Sequence, residues 1–377
     1  MARKGENIYK RKDGRWEARY IKGYALDGKA KYGYCYAKTY RDVKSKLASI
    51  KVSVATNQTA TSGNSKKRFS VYCDEWLILH RLKIKESTYV KYYSAIEKHI
   101  KPKLGGCFVS SLNSLIIEEF SQELLFEEEL SPKTVKDILV LLKSILTYTQ
   151  KKHCGFMESI EIAYPKEGKK EMRVLSREEQ DRFTSFLLSD MDTIKFGVLL
   201  TLVTGLRIGE LCALRWADIS LSERVIRVGA TMQRIKNLDV SDYSESLTKT
   251  KITISDPKSD CSIRQIPLTD YAVGLCKRFY VQRSAAFVLT GEEDRFIEPR
   301  TLQYKFNRYA HECGLDGVHF HTLRHSFATR CVEVDFEIKS LSEILGHSSP
   351  QITLERYVHT SMDLKRNNMN KLAALGY

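Results

Sequence analysis

The 377-residue chain lacks any apolar run long enough to span a bilayer. Its first residues, MARKGENIYKRKDGRW, lack the apolar core of a secretion signal. Both absences predict a chain that stays in the cytoplasm, with no membrane partner. Its nine cysteines, at 35, 73, 107, 154, 212, 261, 276, 313 and 331, are odd in number and form no CxxC pair. That is poor material for a disulfide framework or a zinc site, so they read as small apolar core residues in a reducing compartment. There is also no Walker loop and no carboxylate cluster. No nucleotide, metal or other cofactor is expected.

What is present is charge and length. Hydrophobic residues make up 42% and charged residues 28%, as in an ordinary globular protein, and the length allows two or three domains. The net charge of +15 favours a polyanion, nucleic acid being the common one. Its distribution says more. Residues 1–53 carry 15 Lys and Arg against 5 Asp and Glu, a net of +10. Residues 54–170 carry 18 against 14, and residues 171–377 carry 28 against 27. A basic surface with no special task would spread the excess more evenly.

The basic segment reads as a small sheet followed by a helix. NIYKR, RWEARYIKGY and KAKYGYCYAK alternate, and the Asp-Gly turns in KDG and LDG separate them. In the second strand Trp16, Ala18 and Tyr20 share one face, and Arg15, Glu17 and Arg19 the other. TYRDVKSKLASIKV then places Tyr40, Val43, Leu47 and Ile50 at helical spacing. The sheet packs on that helix and leaves a face expected to be rich in Arg and Lys. A sheet of this kind can enter the major groove, and Arg15, Arg19, Lys22, Lys29 and Lys31 are its candidate DNA contacts. Residues 55–68 are small, polar and aperiodic, and read as a linker.

The next stretch is helical, with four runs of apolar spacing. The last of them opens with Ser131 as cap and Pro132 at the first helical position. Lys83, Lys85, Lys91, Lys101 and Lys103 either grip a phosphate backbone or form a solvated face, and Lys85 and Lys91 are the candidates chosen. Ser176 and Glu179 then fit a capping box that opens a mostly helical third segment. It is interrupted between about 219 and 268, where ISLSERVIRVGA and SIRQIPLT read as strands.

Four islands of the third segment hold the chemistry-bearing residues. TLVTGLRIGELCALRWADI contains Arg207 and ISDPKSDCSIRQIPL contains Lys258. VHFHTLRHSFATR sets His321 and Arg324 three apart on one helix face, and LGHSSPQITLERY contains His347 and Tyr357. Singly each has a plain reading: a buried Arg207–Glu210 ion pair, or a tyrosine on an amphipathic terminal helix. Glu210 and Asp218 read as structural, His325 as a packed or supporting residue, and Arg356 as a contact to DNA backbone or neighbouring protein. The histidines at 319, 321 and 325 lack the further ligands that zinc would need.

Together the islands resemble the tyrosine recombinase family, the DNA integrases of phages and conjugative transposons. Its motif set is Arg, Lys, His-x-x-Arg, His or Trp, then Tyr. These map onto Arg207, Lys258, His321 with Arg324, His347 and Tyr357. The Asp-Cys after PKS departs from the residues usual there. The resemblance spans the chain and implies a multidomain, mainly α protein with small β-sheets. Its parts would be an arm-type DNA-binding domain (1–54), a linker (55–68), a helical, SAM-like core-binding domain (69–160) and a catalytic domain (170–377).

The chemistry accounts for the set. A tyrosine can attack a DNA phosphorus and later leave it, although its phenol, with a pKa near about 10, needs help at neutral pH. Arg207 and Arg324 can hold the charge that develops on the non-bridging oxygens, and His347 can add a hydrogen bond. His321 can assist proton movement at Tyr357, and Lys258 can protonate the departing 5′ oxygen. Lys236, Lys249 and Lys251 are neighbouring lysines that could do so, and the match of PKSDCSIR to the family's hairpin favours Lys258. The resemblance implies a 3′-phosphotyrosine intermediate and strand exchange through a Holliday junction, integrating and excising a mobile element. It also implies double-stranded DNA partners at crossover and arm sites, a synaptic tetramer on the nucleoid, and in some systems an excisionase and a DNA-bending host protein. Two rival readings are a type IB topoisomerase-like enzyme, which needs no partner duplex, and a non-catalytic DNA-binding regulator.

Overall fold

The computed structural model describes residues 7–24, 30–49, 67–152, 160–168, 172–238, 249–255, 263–357 and 369–370. The chain divides into two compact units, Met1–Gly168 and Lys169–Tyr377. Among the described residues no helix is long and apolar enough to cross a membrane.

The first unit opens with strands β1 (Ile8–Lys10), β2 (Trp16–Tyr24) and β3 (Ala30–Ala37), antiparallel in that order. Gly14, at φ +83, closes the first turn in the left-handed region that glycine reaches without strain. Alternation sends Ile8 and Ala18 inward, with Trp16, Tyr20, Cys35 and Ala37, onto Val43, Leu47 and Tyr40 of helix α1 (40–49). Burying Val43 and Leu47 contributes roughly 1.5–3 kcal/mol each, which matters for so small a core. The Tyr20 ring lies directly over Gly33, where a Cβ would meet its Cζ at 2.6 Å. The opposite face sets tyrosines among its arginines. β3 alternates Tyr32, Tyr34 and Tyr36 outward, and Tyr9 joins them, all exposed. The Arg19 guanidinium lies 4.1 Å from the Tyr32 ring centroid, and Arg11 lies 5.6 Å from that of Tyr36.

The same unit continues with α2 (Phe69–His80), α3 (Glu86–Ala95), a π turn (Ile96–Ile100), α4 (Lys101–Leu104), α5 (Ser114–Phe126) and α6 (Pro132–Lys152). The π turn precedes Pro102, whose ring offers no N–H and crowds the carbonyl four residues back. Asn113 caps α5 by accepting from the Ile116 amide, and Ser131 Oγ accepts from the Thr134 amide at the start of α6. Phe69, Tyr72, Trp76, Ile96, Ile100, Phe120 and Leu139 form the shared core.

The second unit begins with α7 (Arg177–Ser189), opened by the Ser176–Glu179 capping box. Then come α8 (Thr193–Thr204) and α9 (Ile208–Ala213). β4 (Ile219–Ser220) and β5 (Val225–Val228) precede a hairpin of β6 (Thr231–Lys236) and β7 (Thr250–Ser255), and β8 (Arg264–Pro267) returns to pair with β5. The β6–β7 pair is an element that the periodicity of the sequence does not single out. Helices α10 (Asp270–Phe279), α11 (Pro299–Glu312), α12 (Phe320–Glu333), α13 (Ile338–Leu345) and α14 (Pro350–Tyr357) complete it. α8 is buried nearly all round, packed among Phe183, Leu211, Trp216, Ile266, Phe306 and Leu323. It is the axial strut from which the candidate site hangs.

Candidate active site

Arg207 follows the turn that ends α8. Gly205 caps that helix at φ +68, Leu206 is buried, and Arg207 becomes the N-cap of α9. Its amide donates to Glu210 Oε2 (2.9 Å) and its Nη1 to Glu210 Oε1 (2.7 Å). Its Nη2 donates to the Gly346 carbonyl at 3.1 Å. About a third of the side chain, 34%, stays exposed, so the ion pair leaves guanidinium edge for a ligand. The plain reading of Arg207 and an outward-facing role therefore coexist.

Glu210 is buried and is shared. Arg264 donates to it twice, Nη1 to Oε1 at 3.0 Å and Nη2 to Oε2 at 2.8 Å. Burial alone would raise its pKa, but the hydrogen bonds and charge of Arg264, with Arg207, outweigh that and hold it at about 2. Arg264 faces inward on β8, beside Ile266 in the same alternation, and its Nε donates to the Ile344 carbonyl (2.5 Å). An arginine in phase with strand core positions was the available signal for this residue.

Arg324 on α12 is almost fully buried. Its Nη1 donates to the Gly205 carbonyl (2.8 Å) and its Nη2 to the Leu345 carbonyl. Burial, then the charges of Arg207 and Arg264, pull its pKa down to about 9, still above neutrality. Arg207 and Arg324 thus bind the adjacent carbonyls of Gly346 and Leu345, immediately before His347. Gly346 ends α13 at φ +62, which lets the chain turn there.

Tyr357 closes α14 and is buried against Ala328, Cys331, Leu341 and Leu345. Its hydroxyl lies 2.9 Å from His325 Nδ1. Its ring is parallel to that of His347, with an interplanar angle of 4° and centroids 6.2 Å apart. His347 Nδ1 is paired with Thr353 Oγ1 at 2.8 Å. His321, exposed at the start of α12, sets its ring edge-on to His325 at 4.4 Å. Desolvation, then the charges of Arg324, Arg207 and Arg356, press the His321 and His347 imidazoles down, to about 4 and about 3. For His321 the solvent at its exposed edge weakens the first cause, and the guanidiniums sustain the direction. Desolvation likewise raises the phenol of Tyr357, against the opposing pull of Arg324, Arg356 and Arg207.

Five of the six residues expected to act together, Arg207, His321, Arg324, His347 and Tyr357, therefore meet in one place. Lys258 lies outside the described residues. The residue on the tyrosine hydroxyl is His325, whose sequence context fits a packed or supporting residue equally. Its signal was its position, one residue after Arg324 and four after His321.

Residues 173–363, just over half of the chain, match the phage integrase family, and residues 68–125 match the N-terminal SAM-like domain of phage integrases. The chain belongs to the phage integrase family. These are the tyrosine recombinases, enzymes that break and rejoin DNA. This phage integrase family chain is 26% identical over 321 residues to a XerC-like tyrosine recombinase of Caldanaerobacter subterraneus, covering 79% of this chain and 80% of the other. It is 24% identical to the integrase of Staphylococcus phage L54a, covering 87% and 98%. Its fold is that of the Tn1549 transposon integrase solved with a circular-intermediate DNA (TM-score 0.66, 22% identity, 81% and 100% covered). It is also that of a lambda integrase tetramer on a Holliday junction (TM-score 0.59, 17% identity, 94% and 98% covered).

Of the expected DNA contacts, Lys29 lies outside the described residues, as do the side chains of Lys22 and Lys31. Arg15 is exposed and paired with Asp13 at 2.8 Å, and Arg19 is seated on Tyr32. Lys91 is paired with Asp137 (2.8 Å), Lys101 with Asp74 (2.6 Å) and Lys103 with Glu123, while Lys83 and Lys85 are exposed.

Proposed function

We propose that the chain is a site-specific recombinase that integrates and excises a mobile element through a 3′-phosphotyrosine intermediate. The observation that carries this reading is the pairing of Arg207 and Arg324 with neighbouring carbonyls, beside the Tyr357 hydroxyl of the same protomer. Held in that way, Arg207 keeps its charge and an exposed N–H edge for a phosphate, and the buried Arg324 keeps its charge beside it. They favour the extra negative charge of the transition state, which is where positioned donors contribute most.

In this reading Tyr357 Oη attacks phosphorus and the 5′ oxygen departs. Arg207 and Arg324 hold the non-bridging oxygens, and His347 adds a hydrogen bond to the same phosphate. His321 serves proton movement on the tyrosine side, and Lys258 protonates the leaving 5′ oxygen, a role that rests on the family resemblance. A 5′-hydroxyl from a partner duplex then reverses the step. Such exchange requires four protomers on two duplexes, with the middle and last domains (69–160 and 170–377) around the crossover site. The N-terminal sheet (1–54) would bind arm sites, and an excisionase and a DNA-bending host protein would set the direction.

The test is covalent capture. A nicked duplex carrying the target, selected by binding from fragments of the source genome, should trap the wild-type chain through Tyr357. Tyr357→Phe should bind that duplex within about twofold and link to none of it, since only one hydrogen bond is lost. A covalent adduct formed by Tyr357→Phe, or one mapped to another side chain, refutes the assignment.

A further inference from the structure

His325 has no part in the six-residue set, yet it makes the hydrogen bond to the nucleophile. We propose that His325 is the immediate proton acceptor of Tyr357, taking the phenol proton at Nδ1 when Oη attacks phosphorus and returning it when the phosphotyrosine is resolved. The inference rests on the recombinase reading and adds a catalytic residue to it.

The geometry places an acceptor for the proton. Nδ1 stands 2.9 Å from Oη, within the reach a general base needs. Among the described residues no carboxylate or carbonyl competes for the hydroxyl. The positive charge of Arg324 acts on the phenol and favours the phenolate that attack requires. With Oη donating and Nδ1 accepting, His325 is the Nε2–H tautomer.

Placement supports the role. His325 is buried on α12, so its ring is held rather than waving in solvent. Among the described residues the titratable and charged groups facing it are His321 and Arg324 from its own helix, and Tyr357 and Arg356 from α14, with no carboxylate. Burial and these neighbours press its pKa down to about 4, so the ring is neutral and open to a proton at physiological pH. A DNA phosphate entering beside the arginines raises the proton affinity of the ring, because nearby negative charge favours the imidazolium. Formation of the O–P bond acidifies the phenol at the same moment. The balance closes: the O–H bond breaks, Nδ1–H and O–P form, and the 5′ oxygen leaves with a proton from the other side of the phosphate. His321, edge-on at 4.4 Å and exposed, is placed to exchange charge with solvent next to the imidazolium.

The experiment is single-turnover covalent capture on the selected nicked duplex, with the full chain. His325→Gln keeps a hydrogen-bond acceptor for the phenol and removes the base. It should cleave about 10²–10³-fold more slowly with DNA affinity within about twofold, and its rate should climb with pH toward the phenol's own titration. Replacing Tyr357 by 3,5-difluorotyrosine, a more acidic phenol, should recover at least tenfold of that loss in His325→Gln and little in His321→Gln. A side chain that only packs would not be rescued by an acidic nucleophile. In the DNA-free wild-type chain, ¹⁵N spectra should show His325 with Nδ1 unprotonated, shifting in Tyr357→Phe. Wild-type rates in His325→Gln, a loss indifferent to phenol acidity, or a protonated Nδ1 each overturn the proposal. A wild-type chain that links to no DNA instead removes the recombinase reading, and this inference with it.

Discussion

Gly205 accepts a hydrogen bond from Arg324 Nη1 at 2.8 Å, across 119 residues of sequence. The helix cap that ends α8 is therefore also a mount for the Arg324 guanidinium. Gly205 is left-handed at φ +68, and a Cβ there would meet Phe327 Cδ1 at 2.6 Å. Gly205→Ala should cost about 1–2 kcal/mol for the backbone and about 1–3 kcal/mol for the clash, and it should slow cleavage as well. A urea midpoint that falls with an unchanged slope would report this, and a wild-type midpoint would count against the mount.

Glu210 is the counter-charge for two arginines. Glu210→Gln leaves Arg264 buried without its anion, and breaking a buried pair in this way costs roughly 3–5 kcal/mol. Arg264→Met should be costly too, by stranding Glu210. The double variant should lose clearly less than the sum of the two, which a double-mutant cycle on unfolding free energies measures. Additive losses would mean that the bidentate pair contributes little.

The depressed imidazoles give pH dependences of opposite sign with and without DNA. In the DNA-free chain His325 and His347 resist protonation that the unfolded chain accepts below about 6.5. Their share of stability is whole above about pH 6.5 and is lost as pH falls toward about 4 for His325 and about 3 for His347. A bound phosphate stabilises the imidazolium forms, so DNA binding should take up protons and tighten as pH falls through the same window. Fluorescence titrations at several pH values test this, with His347→Asn expected to flatten the dependence. Affinity that weakens as pH falls would exclude a phosphate beside these rings.

The basic residues of the first unit should separate by their partners. Arg19→Ala should weaken arm-site binding and lower its salt slope by about one, if the tyrosine-faced sheet meets phosphates. Lys91→Ala should matter little, because that charge is already answered by Asp137 at the surface. Removing residues 1–60 should spare crossover cleavage and abolish arm-dependent recombination, and a truncated chain that recombines a full attachment site normally would refute the arm role.

Elements with strong local signals were legible in the sequence. The Asp-Gly turn, the Ser176–Glu179 box and the Ser131-Pro132 start are short-range devices, and each is an element boundary in the structure. The inward face of the first sheet followed from alternation. Its outward face carries exposed tyrosines, Tyr9, Tyr32, Tyr34 and Tyr36, interleaved with arginines, and a count of charge alone does not show them. What the sequence could not carry is convergence over distance. Nothing local says that Arg264, on a strand of alternating apolar residues, reaches Glu210 54 positions away, or that His325 rather than His321 lies on the hydroxyl of Tyr357. Those facts depend on how α12, α14 and β8 pack.

Because His321, Arg324 and His325 share one turn of α12, much of the site is tied to the register of a single helix. One extra residue between His321 and Arg324 would turn Arg324 and His325 by about 100° away from His321. Letters can change there one at a time, whereas spacing cannot. Working homologues should therefore keep the number of residues between His321 and Arg324 fixed, and keep position 323 apolar, because Leu323 is buried in the core around α8.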